Sequence, residues 1–263
     1  MPELPDVEGF RRTAEKAAHR QVEAVDVRDP GVVLNSGARE FDDTLRGRRL
    51  AEPQRHGKWL EIPTEDSADG LPSLLVHFGM TGQLLWCEPD EQDHGHDRVV
   101  FRFDGGELRY RDMRKLKGVR LARERSEADE VLGQLGPDAA AVSRDELAAR
   151  LTGTRRQLKS ALMDQAVVAG LGNLTVDEVL WRARLAPQRG TAELTAAELK
   201  TLHERVLSTL RQASRAGLVP DRPSWLTGHR DADQGPCPRC STELERRRVA
   251  GRTTVWCPSC QPA

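Results

Sequence analysis

The stretch that decides the C-terminal fold reads Cys237-Pro-Arg-Cys240, followed after sixteen residues by Cys257-Pro-Ser-Cys260. Two such pairs supply four thiolates, the number that closes a tetrahedral structural zinc site. Disulfides are the alternative, but they need an oxidising compartment and would leave Cys87 unpaired, and no apolar signal segment opens the chain. The spacing therefore predicts one structural Zn²⁺ per chain, in a protein of a reducing intracellular compartment.

The charge of the chain is balanced overall but uneven along its length. The 263 residues carry a formal net charge of -1, and no apolar run is long enough to span a bilayer. This length predicts two lobes in addition to the zinc module. Basic residues concentrate in four segments, at 46–58, 109–120, 155–159 and 246–252. A neutral total is thus compatible with a basic face for a phosphate backbone, although a run such as 246–248 is also typical of a solvated surface.

The N-terminus places a proline beside a carboxylate, in Met1-Pro2-Glu3. If Met1 is removed, Pro2 presents a secondary amine, and an α-amino group with a pKa of about 8 is partly unprotonated at neutral pH. Such an amine can attack a sugar carbon and form an iminium. The alternative is a proline that only begins a helix. Apolar residues at helical spacing over 5–19 indicate an amphipathic helix directly behind the amine.

Periodicity divides the rest of the chain into a strand-rich part and a helical part. Between 22 and about 120, alternating apolar residues predict strands, including a hairpin around Asp104-Gly105-Gly106. Capping boxes at 143–146 and 195–198 open helical segments, and a segment rich in Pro, Gly and Asp at 217–236 leads to the cysteine pairs. The expected α+β chain has three domains: a leading helix with a β-sandwich over 2–125, helices over 126–225, and a zinc-binding hairpin over 226–263.

A turn with two glycines lies inside the helical part. The sequence Gly170-Leu-Gly172-Asn173 lets one helix stop and the next begin with its backbone N–H groups exposed, which favours a bound phosphate. Asn173 would add a side-chain donor. Alone, the pattern also fits an ordinary turn between helices.

These motifs occur in the order of a known family. Besides the N-terminal proline, the glycine turn and the cysteine pairs, the chain contains Arg55-His-Gly-Lys58, His77-Phe-Gly-Met-Thr-Gly82, Tyr110-Arg-Asp-Met-Arg114 and Leu135-Gly-Pro137. From end to end it resembles the formamidopyrimidine-DNA glycosylase and endonuclease VIII family. The resemblance implies a β-sandwich, a helix-two-turn-helix lobe and a β-hairpin zinc finger. It also implies a bifunctional DNA glycosylase with AP lyase activity in base excision repair, which binds damaged double-stranded DNA and extrudes the damaged nucleotide before cutting.

By resemblance, four residues carry the chemistry. Pro2 attacks the sugar C1′, displaces the base and forms the iminium, while Glu3 donates and shuttles protons. Lys58 matches the family's catalytic lysine, although it also fits an exposed strand lysine. Arg252, behind Gly251 at the expected tip of the finger, matches an arginine that contacts phosphates around the flipped nucleotide. The zinc then acts indirectly, by holding this side chain in place.

Other residues match DNA-contacting positions of the family. Met80 and Arg114 correspond to side chains that fill the gap left by the extruded nucleotide. Phosphate-contacting positions are matched by His96, Arg155 and Lys159. His77, at a strand end, is either a satisfied core histidine or a phosphate donor. The predicted DNA-binding set is His77, Met80, His96, Arg114, Arg155, Lys159 and Asn173.

Two departures from the family pattern bear on the substrate. An aromatic wedge of the family is replaced by Leu116, which weakens stacking in the gap. The segment 217–236 lacks the longer loop that closes over a flipped oxidised purine. We therefore expect the substrate lesion to be an oxidised or ring-opened base, and 8-oxoguanine to be a poor substrate. Trp225 is either a core anchor or a stacking platform for the flipped base.

Two other classes compete with this interpretation. A non-catalytic damaged-DNA binding protein of the same fold has no need for Pro2, Glu3 and Lys58 together. An RNA-binding protein with a helix-two-turn-helix needs neither the Pro-Glu opening nor the finger. The expected protein is a monomeric, nucleoid-associated enzyme of the cytoplasm.

Overall fold

The structure, a computed structural model, describes residues 1–232, 235–249 and 251–262. Contacts divide the chain into two compact units, one of Met1–Pro2 with Asp6–Gln134 and one of Glu3–Pro5 with Leu135–Ala263. The helices are α1 (Leu4–Ala14), α2 (Ala38–Leu45), α3 (Arg125–Leu132), α4 (Arg144–Thr152), α5 (Leu158–Met163), α6 (Asn173–Ala183) and α7 (Ala196–Ala216). The strands are β1 (Ala24–Val27), β2 (Gln54–His56), β3 (Trp59–Ile62), β4 (Ser73–His77), β5 (Gln83–Cys87), β6 (Asp97–Phe103), β7 (Gly106–Arg111), β8 (Val119–Ala122), β9 (Glu245–Val249) and β10 (Arg252–Trp256).

The first unit is built on two four-stranded antiparallel sheets, ordered β1-β6-β7-β5 and β2-β3-β4-β8. The two sheets share one apolar cluster, to which Phe101 contributes from one sheet and Leu60 and Val76 from the other. The β6–β7 hairpin turns at Asp104-Gly105 as predicted, and Gly105 has a φ of +79°, the left-handed conformation that a tight turn needs. The predicted combination of a leading helix with antiparallel sheets is confirmed, and both sheets contribute to one apolar cluster.

Helix α1 precedes these sheets. Pro5 lies in its first turn, where a missing N–H costs no intrahelical bond. Val7 and Ala14 lie buried in the cluster of the first unit, with Phe10 packed at its edge. The helix ends at Ala14 and continues as a single 3₁₀ turn over Glu15–Ala17, so it is shorter than the predicted 5–19.

The second unit is helical and ends in the β9–β10 hairpin. Helix α7 begins with a complete capping box of Thr195 and Glu198, and it stops at Gly217, whose φ is +71°. Helices α5 and α6 are joined by the two-glycine turn. Leucines and valines of α4 to α7 form one apolar cluster, which also contains Leu4.

The hairpin packs onto helix α6 through a smaller apolar cluster. This cluster combines Trp181 of α6 with Leu226, Leu244, Val255 and two of the cysteines. Strand β10 pairs with β9 in antiparallel register, with Arg252 opposite Val249 at the turn. No helix within the described ranges is long and apolar enough to cross a membrane.

Candidate active site

Glu3 is anchored at the start of helix α6. Its Oε1 accepts from the backbone N–H of Leu174 at 2.8 Å, and its Oε2 accepts from that of Thr175 at 2.9 Å and from the Thr175 hydroxyl. Only 2 % of Glu3 is exposed. A carboxylate at a helix N-terminus meets both the unpaired amides and the positive end of the helix dipole. The contacts therefore hold the residue next to Pro2 in one place.

The glycines of the turn make room for this N-terminal segment. A Cβ on Gly172 would lie 2.3 Å from the Glu3 carboxyl carbon, and one on Gly170 would lie 2.5 Å from a methyl carbon of Leu4. Gly170 also has a φ of +112°. The prediction that the first amides of α6 are open to a phosphate is wrong for Leu174 and Thr175, because Glu3 already accepts from both.

Lys58 and His77 belong to the first unit, Lys58 in the turn between β2 and β3 and His77 at the end of β4. His77 pairs with Trp59 across β3 and β4, and the two rings are 4.8 Å apart. Burial, with the charges of Lys117 and Lys58, lowers the pKa of His77 to about 4. Its Nδ1 accepts from the N–H of Gly79 at 3.0 Å, which assigns the ring hydrogen to Nε2. At neutral pH His77 is therefore uncharged, and its Nε2–H is a donor. Because the residue is only partly buried, it combines features of the two alternatives, the satisfied core histidine and the phosphate donor.

Met80 and Arg114 project from two loops that are tied together. The Thr81 hydroxyl donates to Asp112 Oδ1 at 2.5 Å and accepts from the backbone N–H of Arg114 at 3.1 Å. Asp112 is fully buried, whereas 41 % of Met80 is exposed, and Arg114 is exposed as well. The loops that carry the exposed Met80 and Arg114 are thus joined through Thr81 and Asp112.

His96 belongs to the same part of the first unit. Its Nδ1 lies 3.1 Å from Nη2 of Arg98, and Nε of Arg98 donates to the carbonyl of Asp112 at 2.8 Å. The backbone N–H of Asp112 donates to the carbonyl of His96 at 3.0 Å. His96 is therefore linked to the loop that carries Arg114.

The predicted phosphate ligands of the second unit differ in exposure. Arg155 is exposed in the connection between α4 and α5, and Asn173 is partly exposed. The side chain of Lys159 is completely buried, and its Nζ lies 2.6 Å from Asp177 Oδ1. Burial lowers the pKa of Lys159, against the opposing effect of that carboxylate. The structure contradicts the predicted phosphate contact of Lys159, since an ammonium enclosed in this way cannot reach DNA.

The four cysteines of the two pairs converge as predicted. The Sγ atoms of Cys237, Cys240, Cys257 and Cys260 all lie within 4.8 Å of one another. Neighbouring sulfurs are 3.4 to 3.9 Å apart, and a tetrahedron with Zn–S bonds of ~2.3 Å needs about 3.8 Å. The Trp181 indole N–H donates to Sγ of Cys237 at 3.3 Å, an outer contact typical of zinc thiolates. The set fits one structural Zn²⁺.

Arg252 occupies the predicted position at the tip of the finger. It is exposed and follows Gly251, whose φ is +74°. The carbonyl of the next residue, Thr253, is bonded by the side chains of Lys159, Asn173 and Arg230. The hairpin is thus attached to the helices directly behind the arginine.

Three residues that contact the site were not predicted from the sequence. Thr175 bonds Glu3, and Asp177 and Arg230 form a buried ion pair with Nε to Oδ2 at 3.2 Å. One signal was present in the sequence. Asp177 and Glu178 interrupt an apolar helix, and buried carboxylates need partners.

Family models match the chain in three consecutive parts. The formamidopyrimidine-DNA glycosylase N-terminal domain matches residues 1–119, and the formamidopyrimidine-DNA glycosylase H2TH domain matches residues 135–219. The zinc finger found in FPG and IleRS matches residues 235–263. The order of the three matches is that of the motifs in the sequence.

Similar proteins cover the whole chain. The formamidopyrimidine-DNA glycosylase of Desulfitobacterium hafniense is 33% identical over 99% of this chain and 100% of its own length, and that of Bacillus licheniformis is 35% identical over 99% of each. Lactococcus lactis Fpg, solved with DNA containing N7-benzyl-Fapy-dG, has a TM-score of 0.88 at 29% identity and full coverage of both chains. The same protein with abasic-site DNA has a TM-score of 0.87. The chain belongs to the formamidopyrimidine-DNA glycosylase family of DNA glycosylases.

Proposed function

We propose that this DNA glycosylase of base excision repair acts through Pro2, which becomes the N-terminal residue when Met1 is removed. The observation that carries the proposal is the anchoring of Glu3 at helix α6, because it fixes the backbone one residue from the amine. An amine held in this way loses little freedom when it attacks. Met1 is 48 % exposed, which leaves it accessible to removal.

The reaction follows from the chemistry of a secondary amine. The nitrogen lone pair of Pro2 forms a bond to C1′ of the sugar while the bond from C1′ to the damaged base breaks, and the base leaves with a proton. Ring opening of the sugar gives an iminium, and loss of a proton from C2′ then expels the 3′ phosphate. We assign proton donation and transfer to Glu3, and contact with a phosphate or the leaving base to Lys58. Arg252 supplies a guanidinium for the phosphates around the nucleotide.

Damaged double-stranded DNA is the proposed partner. The Lactococcus lactis relative was solved with abasic-site and Fapy-dG DNA. We assign gap filling to Met80 and Arg114, whose loops are joined through Thr81. We assign phosphate contacts to four other residues that are exposed or partly exposed: His77, His96, Arg155 and Asn173.

We propose oxidised pyrimidines, ring-opened purines or bulkier adducts as lesions, with 8-oxoguanine a poor substrate. The support is the short connector 217–236, of which residues 233 and 234 lie outside the described residues. Its described part is tied down: Thr227 donates its N–H to Glu178 at 3.3 Å and its hydroxyl to the carbonyl of Pro220 at 2.6 Å. Trp225 is buried beneath the Arg182 guanidinium, which favours the core anchor over the stacking platform. The described part of the connector, held in this way, has little free length to fold over a base.

Domain limits and location complete the proposal. We propose functional domains at 2–125, 126–225 and 226–263, supported by the positions of the sheets, of helices α4 to α7 and of the hairpin. We further propose a monomer that works in the cytoplasm at the nucleoid. Four zinc thiolates support a reducing compartment.

Borohydride trapping on an abasic-site duplex tests the nucleophile. The protein whose N-terminus is shown by mass to be Pro2 should give a covalent protein–DNA adduct, because borohydride reduces the iminium. Pro2→Gly and a form that retains Met1 should give none, whereas Pro5→Ala, a matched change in the first turn of α1, should be trapped. A correctly processed protein that gives no adduct would refute the assignment and favour the non-catalytic binding protein.

A further inference from the structure

The carbonyl of Thr253 is the meeting point of three side chains in the second unit. It accepts from Lys159 Nζ at 3.2 Å, from Asn173 Nδ2 at 3.0 Å and from Arg230 Nη2 at 3.0 Å. A carbonyl oxygen has two lone pairs, so three donors exceed its ordinary capacity. Two of the donors are cations, whose hydrogen bonds are the stronger kind.

Asp177 lies behind this carbonyl and orients both cations. Its Oδ1 accepts from Lys159 Nζ at 2.6 Å, and its Oδ2 accepts from Arg230 Nε at 3.2 Å. Oδ2 also lies 3.3 Å from the backbone N–H of Val255, on strand β10. The carboxylate is only 1 % exposed. One side chain of α6 thus holds the finger strand directly at Val255 and, through two cations, at Thr253.

Arg252 stands next to the peptide that these contacts hold. We propose that Asp177 is a positioning residue for Arg252, acting through Lys159, Arg230 and the Thr253 carbonyl. The proposal rests on the phosphate-binding role given to Arg252 under the proposed function. A network of buried charges adds little stability compared with an apolar core, which makes a role in geometry the better explanation for it.

The neighbouring residue provides a matched control. Glu178 is also buried and is paired with an arginine, Arg182, at 2.6 Å. Its other carboxylate oxygen accepts from Thr227 of the connector at 3.3 Å. Asp177→Asn and Glu178→Gln therefore remove comparable buried charges from the same helix. Asp177 bonds strand β10, whereas the described contacts of Glu178 are with α6 and the connector.

A double-mutant cycle tests the proposal by single-turnover cleavage of abasic-site DNA. Arg252→Ala should slow strand cleavage ~100-fold, the usual effect of losing one donor to a developing charge. Asp177→Asn should slow it ~10-fold, as outer-shell changes do, and the double variant should be no slower than Arg252→Ala within about 2-fold. Glu178→Gln should cleave at the wild-type rate.

The salt dependence of DNA binding gives a readout that a loss of stability would not change. One phosphate contact contributes about 0.9 to the slope of log K against log salt concentration. Arg252→Ala should lower the slope by about that amount, Asp177→Asn by about half of it or more, and Glu178→Gln not at all. If Asp177→Asn fails to fold, Arg230→Lys replaces it in both assays, because lysine keeps the charge but cannot reach Asp177 and the carbonyl together.

The outcomes separate the two proposals. Wild-type cleavage by Arg252→Ala would refute the role of Arg252 and the positioning role with it. Two results would overturn the positioning role alone, in each case with Arg252→Ala impaired. In one, the rate losses of Asp177→Asn and Arg252→Ala multiply in the double variant. In the other, Asp177→Asn cleaves at the wild-type rate.

Discussion

Replacing Glu3 by Gln should destabilise the protein as well as remove a catalytic carboxylate. The glutamate accepts two backbone N–H groups and one hydroxyl at the start of α6. A glutamine keeps one acceptor oxygen and turns an amide NH₂ toward the N–H of Thr175, which then has no partner. A hydrogen bond to a charged group contributes ~1.5–3 kcal/mol, and a negative charge at a helix N-terminus about 0.5–1 kcal/mol. We therefore expect a loss of about 3 kcal/mol.

Urea unfolding followed by circular dichroism, with zinc present, measures this loss. Thr175→Val is the matched control: it removes only the hydroxyl bond and should cost about 1 kcal/mol. A decrease below about 0.5 kcal/mol for Glu3→Gln would show that the contacts with α6 do not anchor the N-terminus.

Cleavage assays on the same variants separate anchoring from chemistry. At a temperature where both variants are folded, Thr175→Val should cleave abasic-site DNA near the wild-type rate. Glu3→Gln should be slower by ~10²-fold or more, since general acid–base groups contribute that much. Equal rates for the two variants would refute the proton-transfer role of Glu3.

The remaining predictions concern pH and zinc. His77 has a pKa of about 4 in the folded protein and 6.5 as its ordinary value, so the unfolded chain binds the extra proton and stability falls as the pH drops from 6.5 towards 4. At pH 5 this loss is about 2 kcal/mol. The unfolding free energy of His77→Gln should therefore fall by about 2 kcal/mol less between pH 7 and pH 5 than that of the wild type. An equal fall in both proteins would contradict this role of His77. Chelation of the zinc should unfold the finger and reduce strand cleavage, with recovery on adding Zn²⁺, because metal binding supplies the folding free energy of such sites. Full cleavage by a protein whose measured zinc content is near zero would show that the finger is dispensable.

Local patterns in the sequence were reliable guides to the fold. The spacing of the cysteines predicted the zinc ligands, and the turn at Asp104-Gly105 predicted the β6–β7 hairpin. Such features depend on residues that are close in sequence and have few alternative conformations. The capping box at Thr195 is of the same kind, and the structure confirms it.

Contacts between distant residues were not accessible in the same way. The glycines of the turn predicted exposed N–H groups for a phosphate, but the group that accepts from Leu174 and Thr175 is Glu3, 171 positions before Leu174. Lys159 matched a phosphate-contacting position, yet Asp177 and Thr253 enclose its ammonium. A single sequence gives the chemical type of a side chain, whereas its partner depends on how distant elements pack.

The anchoring of Glu3 also sets an order of events during synthesis. The groups that hold it belong to Leu174 and Thr175, so the N-terminus has no docking site until about two thirds of the chain has left the ribosome. Until then Glu3 is not held by α6, and Met1 is open to the peptidase that removes it. Processing can thus precede docking, and the amine that emerges enters its final position only when the second unit folds.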